Sequence, residues 1–341
     1  MKLFLLQNKM HCNLIISFVI IFCISCINNP TDTGDKDAVA SDKAALEIGY
    51  AHGDSASSVT RNITLPHSGQ NGTTILWVSN NSIRVSNEGI VTRPYVGNVT
   101  VILTATIVKG VESDVKEFSL IVKECRIYDI NGNVYRTIII GDREWTAENL
   151  RATSYNDGTP IPYVPDSALW SNLTSPGYCY YNNNTRTDSI QKFGALYNWY
   201  TVDTKKLAPN GWHIPTESEW WELEAFMIAN AYNWDHTVVG NKIAKSLAAA
   251  TDWELADDLG AIGNDLLLNN SSGFSALPGG IRAAIGVFAS KIRYGYWWSS
   301  TSETNQTYAY YRMLFCRSEE LLYMFQQNKR YGFSVRLIKD N

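Results

Sequence analysis

The chain has 341 residues, of which 45% are hydrophobic and 18% are charged, with a formal net charge of −4. This composition is typical of a folded globular protein of about two domains, and it excludes a disordered or collagen-like chain. The charge balance gives no basic surface, so nucleic acid is not expected as a partner. Ten of the eleven tryptophans lie between Trp145 and Trp298, so the C-terminal two-thirds of the chain differs in kind from the part before it.

The first 25 residues have the pattern of an export signal. An apolar run over residues 14–24 follows two lysines, and at about 1.5 Å per residue it is too short to cross a hydrocarbon core of about 30 Å. The run ends at Ser25-Cys26 and resembles a bacterial lipobox. The resemblance implies a lipoprotein signal peptide over 1–25, a lipid on Cys26, and an exported protein anchored in the cell envelope, with the outer membrane expected. Residues 26–44 are predicted to be a flexible tether.

Residues 45–123 are predicted to form a small all-β module. Val101, Leu103, Ala105 and Ile107 alternate with more polar residues, and a period of two indicates half-buried strands. Trp77 lies within one such strand, where it can fill the space between two sheets. The segments Trp77-Val-Ser-Asn80, 85–94 and 99–106 resemble bacterial immunoglobulin-like repeats, and the resemblance implies a β-sandwich that serves as a spacer or stalk.

Residues 125–341 open with a hairpin signal and contain a helix signal. Asn131-Gly132 stands between apolar runs, which predicts a type I′ turn. Thr216-Glu-Ser-Glu219 is a capping box that predicts a helix as far as about Ala229. Trp220, Leu223 and Met227 would form the buried stripe of that helix. The two domains are predicted to separate near Cys125.

The same region carries a series of motifs in a fixed order. They include Asp129-Ile-Asn-Gly-Asn-Val-Tyr135, Glu144-Trp-Thr-Ala-Glu-Asn-Leu150, Gly194-Ala-Leu-Tyr-Asn-Trp199, Gly211-Trp-His-Ile-Pro-Thr216, Ser272-Gly-Phe-Ser-Ala-Leu-Pro-Gly-Gly280 and Tyr331-Gly-Phe-Ser-Val-Arg336. Together they resemble the Fibrobacter succinogenes major paralogous domain, and several are similar to motifs of formylglycine-generating-enzyme-like domains. The resemblance implies a C-type-lectin-like head. The expected fold class is therefore an all-β immunoglobulin-like sandwich followed by an α+β C-type-lectin-like domain.

The residues that enzyme chemistry would require are scarce in this head. Formylglycine-generating enzymes work through a closely spaced cysteine pair, whereas the matching region here has only Cys316. His213 and His236 do not have metal-ligand spacing, and His213 is predicted to be a packed structural residue. A glycosidase would need two carboxylates, for which the candidates are Glu217, Glu219, Glu222, Asp257 and Asp258. We predict no catalytic residues, no cofactor and no metal, although the loop from Asp252 to Asn270 leaves a structural Ca²⁺ open.

The long loops before the final strands are the predicted ligand surface. The candidate binding residues supply stacking faces, guanidinium groups and polar groups, and they are Arg282, Tyr294, Trp297, Trp298, Glu303, Asn305 and Arg312. Of the adjacent pair Trp297 and Trp298, one is expected in the core and the other under a loop or at the binding face. The sequence thus predicts a non-enzymatic binding or adhesion protein for carbohydrate or a cell-surface protein. Two alternatives are a structural or fimbria-like envelope component and an enzyme of formylglycine-generating or glycosidase type.

Overall fold

The structure is a computed structural model that describes residues 33–302 and 307–340. Its N-terminal unit is built on one antiparallel sheet in the order β1-β2-β3, with β1 over Thr74–Ser79, β2 over Val99–Lys109 and β3 over Glu112–Val122. The predicted alternation in β2 is confirmed, since every second residue from Val101 to Ile107 is fully buried. The Trp77 ring packs on Phe118 in this core, and its indole N–H donates to the Pro66 carbonyl at 2.8 Å.

The predicted tether is wrong for the residues from Thr33 onward, because Thr33–Ala45 form a helix, α1. Val39 belongs to the hydrophobic core of the N-terminal unit. The buried carboxylate of Asp42 accepts hydrogen bonds from the Asn71 amide and from the Thr73 hydroxyl, the latter at 2.8 Å. Apolar side chains on one helical face and a carboxylate with partners outside the helix hold this segment on the sheet. The earlier part of the predicted tether, like Cys26, lies outside the described residues.

The N-terminal unit differs from the predicted all-β sandwich in its second layer. The inner face of the sheet is covered by α1 and by the irregular chain on either side of β1, residues 46–73 and 80–98. Among the described residues, this part of the chain pairs only through isolated bridges such as Gly49–Thr64 and Val85–Val91. Turns interrupt that segment too often for long strands to form, so a helix supplies cover that a second sheet would have given.

The C-terminal unit is mostly β-sheet with few helices. Its described strands are, in chain order, β4 (Arg126–Tyr128), β5 (Val134–Ile140), β6 (Arg143–Thr146), β7 (Tyr178–Cys179), β8 (Leu196–Tyr197), β9 (Trp212–His213), β10 (Ile281–Arg282), β11 (Phe288–Ala289), β12 (Tyr294–Ser302), β13 (Tyr308–Phe315), β14 (Leu322–Asn328) and β15 (Ile338–Lys339). Its described helices are α2 (Ser167–Ser171), α3 (Thr187–Phe193), α4 (Trp199–Asp203), α5 (Glu217–Ala229) and α6 (Ala244–Leu247). Single 3-10 turns occur at Tyr181–Asn183 and Leu266–Leu268.

Two sheets organise this unit. One has the order β4-β5-β6-β15-β9, so the last strand of the chain inserts beside β6, and the other has the order β12-β13-β14. The second sheet lies between two hydrophobic clusters. Trp298 belongs to one cluster with Phe333, whereas Trp297 belongs to the other with Trp220 of α5. Both faces of this sheet are therefore buried.

The predicted helix cap and the predicted hairpin both form, but the hairpin has a different loop. Helix α5 begins at Glu217 with both hydrogen bonds of the predicted Thr216 and Glu219 capping box in place. The hairpin of β4 and β5 forms, but its loop runs from Asp129 to Asn133 and only Gly132 has a positive φ there. The Asp129 carboxylate accepts the Asn131 and Asn133 N–H groups, and this favours the longer loop over the predicted two-residue type I′ turn.

The two units are joined by a partly buried ion pair and by hydrogen bonds. Arg93 of the N-terminal unit places Nη1 2.6 Å from Oε1 of Glu144 on β6; the Glu144 side chain is buried and the Arg93 side chain is half-buried. Glu144 also accepts from the Thr137 hydroxyl at 2.6 Å and lies 3.2 Å from the Lys339 ammonium. Arg61 donates to the Asp142 carbonyl at 2.6 Å. Charged groups thus link the units at the point where the chain passes between them.

Across residues 33–302 and 307–340, no helix combines the length and the apolar character that crossing a bilayer requires.

Candidate functional site

The predicted ligand face is wrong for four of its residues, because the structure buries them. Arg282, Trp298 and Arg312 have no exposed surface, and Trp297 is 1% exposed. The prediction treated the strand that carries the two tryptophans as one side of a half-exposed sheet. Since the β12-β13-β14 sheet is covered on both faces, the two tryptophans point in opposite directions and both enter the core.

Arg282 holds loops together through backbone carbonyls. Its guanidinium donates to Val164 O at 2.6 Å, to Pro165 O at 2.8 Å and to Gly286 O at 3.1 Å. The same group stacks at 4.6 Å from the Trp170 ring. The guanidinium N–H groups donate to backbone carbonyls inside the protein. Arg282 therefore stabilises the fold and is not accessible to a ligand.

Of the remaining predicted residues, the structure describes Tyr294 alone. Tyr294 is half-buried, and its ring stacks on Phe315 with centroids 4.4 Å apart. Glu303 and Asn305 lie outside the described residues.

The exposed tryptophan of this protein is Trp221, on helix α5. It is 45% exposed, whereas the neighbouring Trp220 is fully buried in the core. The guanidinium carbon of Arg312 lies 4.6 Å from the centre of the Trp221 ring. A buried cation therefore supports an indole that faces solvent, and this stacking restrains the ring.

Two glutamates of α5 accompany Trp221 at this place. Glu217, one turn before Trp221, has Oε1 2.6 Å from Nη2 of Arg312. Glu224 is buried, and its Oε2 makes no hydrogen bond with any described residue. Positions 217, 221 and 224 share one side of the helix because they are spaced by four and three residues. We call Glu217, Trp221, Glu224 and Arg312 the Trp221 cluster.

The carboxyl groups of the Trp221 cluster are electrostatically perturbed. Burial raises the pKa of Glu217 to about 7, an effect that the Arg312 charge opposes and the Glu224 charge reinforces. Burial likewise raises the pKa of Glu224, again against the attraction of Arg312. Perturbed carboxyl groups beside an exposed aromatic ring are a feature of binding and catalytic sites. The part of the cluster that solvent reaches is the Trp221 side chain, because both oxygens of Glu217 and Oε2 of Glu224 are buried.

A separate cavity lies between the end of α5 and the loop after α6. It has a volume of about 430 Å³, within the range of small-ligand clefts. Its lining includes aromatic, amide, hydroxyl and aliphatic side chains, namely Tyr232, Asn233, Trp234, His236, Lys245, Ser246, Leu259, Asn264, Leu268 and Ser271. We call it the 230/260 cleft.

His213, predicted as a packed structural residue, lies half-buried on β9 at the edge of the five-stranded sheet. Its Nδ1 is 2.6 Å from Asp340 Oδ1, and its Nε2 is 2.9 Å from Glu219. Hydrogen bonding to Glu219, together with Asp340 and against the effect of burial, raises the pKa of His213. Arg143 also pairs with Glu219. The histidine therefore joins the cap of α5 to the end of the chain.

In the loop from Asp252 to Asn270, where the sequence left a structural Ca²⁺ open, backbone carbonyls are bound by a lysine side chain. The Lys245 ammonium is buried and donates to the carbonyls of Ala261, Asn264 and Asp265. Asp252 instead pairs with Lys192 at 2.7 Å. Within the described part of the chain, no three His, Cys, Asp or Glu side chains are grouped so that they could hold a metal ion. Cys125, Cys179 and Cys316 all carry free thiols.

Sequence reasoning missed Trp221 and Glu224, although a signal for both was present. Adjacent residues on an α-helix point about 100° apart. Once Trp220 is assigned to the core stripe, Trp221 must point away from the centre of that stripe. Glu224 follows Glu217 by seven residues and so returns to the same side of the helix. Arg312 was predicted as a ligand-binding residue, whereas the structure buries it, pairs it with Glu217 and places it against the Trp221 ring.

Two family models together match most of the chain. Residues 138–339 match the family model described as the Fibrobacter succinogenes major domain. Residues 39–125 match the model of an atrophied bacterial Ig domain, in agreement with the predicted immunoglobulin-like module. A search of curated proteins found no match to this chain.

Proposed function

Because the chain belongs to the Fibrobacter succinogenes major domain family, we propose that it is a non-enzymatic envelope protein whose C-terminal unit binds carbohydrate at the Trp221 cluster. Membership of this family suggests a surface or adhesion-like protein. The observation that carries the proposal is the exposure of Trp221 over the buried guanidinium of Arg312. Trp221 is 45% exposed, whereas the other ten tryptophans are buried or half-buried.

A sugar ring fits the chemistry of this cluster. One face of a pyranose presents C–H groups that stack on an indole. Both oxygens of Glu217 and Oε2 of Glu224 are buried, so the contact that supports the proposal is stacking of the sugar on the exposed part of Trp221. Restraint of the indole by Arg312 lowers the entropic cost of ordering the site when the ligand binds.

A C-type-lectin-like α+β architecture remains our proposal for the fold of this unit. It is supported by the capped helix α5 and by small sheets joined through long loops, with the last strand β15 returning beside β6. The Trp221 cluster lies on α5 and β13, and not on the loops where the sequence prediction placed the ligand face.

The proposed attachment is a lipid on Cys26, which rests on the lipobox resemblance. Thr33 begins α1 seven residues after Cys26, a span of at most about 25 Å. The start of α1 lies beside the β2–β3 turn, since Asp35 is 3.5 Å from Lys109. The C-terminal unit continues from the other end of β3, which at 11 residues is roughly 35 Å long. The N-terminal unit would therefore hold the binding unit about one strand length beyond the anchored end.

A glycan array probed with the purified protein tests the binding proposal. We expect binding to one class of oligosaccharide, and a 10- to 100-fold loss of affinity in Trp221→Ala, as for other stacking hot spots. Glu222→Gln, on the exposed side of the same helix, is the control and should leave binding unchanged. A glycan that binds Trp221→Ala as tightly as the unaltered protein would contradict the site, and an array without any bound glycan would contradict the ligand class.

Glycoside hydrolysis is the second candidate, and one observation favours it. A carboxyl group with a pKa of about 7 beside a second buried carboxylate is the arrangement that a general acid requires. Incubation of any bound oligosaccharide with the protein, followed by chromatography of the products, distinguishes the two functions. Cleavage that Glu217→Gln abolishes would establish an enzyme, while intact oligosaccharide supports a binding protein.

A further inference from the structure

The 230/260 cleft has features that the carbohydrate proposal does not use. It is bordered by aliphatic side chains that face solvent: Leu259 is 75% exposed and Leu268 is 67% exposed, and both line the cleft. Leu267, next in sequence to Leu268, is also exposed. Leucines grouped around a cavity differ from isolated surface leucines, because a contiguous apolar patch marks an interaction site.

The loops that carry these leucines are held in place by buried polar groups. Between Leu259 and Leu268, the Lys245 ammonium binds three backbone carbonyls. The Asn269 side chain donates to the carbonyls of Ala249 and Ile262, both at 3.2 Å. On the opposite side of the cleft, the buried Asn233 amide donates to the carbonyls of Thr237 and Gly240. The apolar border is therefore fixed before any ligand arrives, which lowers the entropic cost of binding.

An aromatic ring forms the inner wall of the cleft. The indole N–H of Trp234 donates to Glu319 at 2.5 Å. Gly260 packs against this ring so closely that an added Cβ would lie 2.2 Å from the indole nitrogen. Trp234 is thus held from two directions and presents an apolar wall below the leucines.

The charged groups around the cleft are mainly acidic. Asp257 and Asp258 precede Leu259, Asp265 precedes the turn that carries Leu267 and Leu268, and Glu319 contacts Trp234. Three cations lie nearby, and all are engaged: the Lys245 ammonium binds the three backbone carbonyls described above. Lys242 pairs with Asp235 at 2.5 Å, and Arg317 pairs with Asp258 at 3.1 Å. The remaining charge at the border of the cleft is negative.

We propose that the 230/260 cleft is a docking groove for a basic amphipathic segment of a partner protein. Apolar side chains of that segment would enter between Leu259, Leu268 and Trp234. Its lysines or arginines would face the acidic border, where opposite charges steer association. A second copy of this chain is disfavoured, because two such borders would bring like charges together. This groove is distinct from the Trp221 cluster and does not depend on carbohydrate binding.

The test uses peptides as probes of the full protein. A phage-displayed library of random 12-residue peptides is selected on the immobilised protein, and enriched sequences are synthesised with a fluorescent label. We expect them to combine leucine or aromatic residues with lysine or arginine, and to lose at least tenfold in affinity for the Leu259→Ser/Leu268→Ser double variant. Affinity should also fall with added salt, while Trp221→Ala should bind as the unaltered protein does.

The controls separate the groove from general stickiness and from misfolding. Ile285→Ser/Val287→Ser removes two exposed aliphatic side chains from the β10–β11 turn and should leave peptide affinity unchanged. Asp257→Lys replaces one exposed charge without touching the apolar border, so a severalfold loss of affinity for basic peptides is expected even where the double variant is unstable. Three results would overturn the proposal: no enrichment, enriched peptides without basic residues, or self-association of the protein that the leucine variant abolishes.

Discussion

Arg93 and Glu144 form an ion pair across the two units of the chain, with Nη1 and Oε1 2.6 Å apart, Glu144 buried and Arg93 half-buried. Burial alone would raise the pKa of Glu144, but the charge of Arg93 and the Thr137 hydroxyl lower it below the ordinary value. The carboxylate is thus kept ionised by a residue from another unit. The coupling between the units is ionic in character.

Arg93→Ala should destabilise the protein by about 3 kcal/mol, because the partner of a buried carboxylate is removed. The loss should be smaller in Arg93→Ala/Glu144→Gln, in which no unpaired charge is left. Denaturant unfolding of the single variants and the double variant measures both quantities. Equal losses in the single and double variants would show that Lys339 compensates Glu144 without Arg93.

Trp297→Ala and Trp298→Ala should each destabilise the protein by roughly 3–5 kcal/mol, as expected for fully buried tryptophans. Trp221→Ala should change the free energy of unfolding by less than about 1 kcal/mol, since most surface substitutions have small effects. Thermal unfolding of the three variants provides the comparison. A large loss in Trp221→Ala would identify its stacking on Arg312 as structural and would weaken the carbohydrate proposal.

The His213 and Glu219 pair predicts a stability profile with two slopes. The folded pKa of His213 is raised above 6.5, so its contribution is complete below that pH and disappears as the pH rises through the folded value. Although burial opposes it, hydrogen bonds from His213 and Thr216 lower the pKa of Glu219 from 4.5 to about 2. Its contribution is complete above pH 4.5 and disappears as the pH falls toward 2. His213→Gln should flatten the slope above pH 6.5, as measured by unfolding at a series of pH values.

Lys245→Met should destabilise the protein by more than about 2 kcal/mol, because three backbone carbonyls lose their donor. Amide hydrogen exchange should accelerate over residues 261–265 and not in β2, which belongs to a different core. Added Ca²⁺ should not restore stability in this variant. Restoration would show that the carbonyls form a cation site that the ammonium occupies.

The parts of the fold that local sequence determines were predictable. The capping box of α5 and its stripe of Trp220, Leu223 and Met227 depend on residues within one helix. The alternation of β2 depends on one strand. Helix α1 was missed because its polar surface resembles that of a linker, and what holds it is contact with the sheet through Val39 and Asp42.

The binding face was less predictable, because exposure is a property of tertiary packing. No local pattern distinguishes a strand covered on one face from a strand covered on both, so Trp297 and Trp298 were assigned partly to the surface. Burial of Arg282 likewise follows from carbonyls of residues 164 and 165, more than 110 positions away in the chain.

The position of α1 beside the β2–β3 turn determines how the N-terminal unit transmits force. Tension between the chain before Thr33 and the C-terminal unit enters at the turn end of the sheet and leaves after Val122, at the other end of β3. It therefore acts along the strands, and the ladder hydrogen bonds between β2 and β3 run across them. The load reaches the sheet through side-chain contacts of α1, such as Asp35 with Lys109 and Lys43 with Asp114, so these contacts slide along the strands before any ladder bond is loaded.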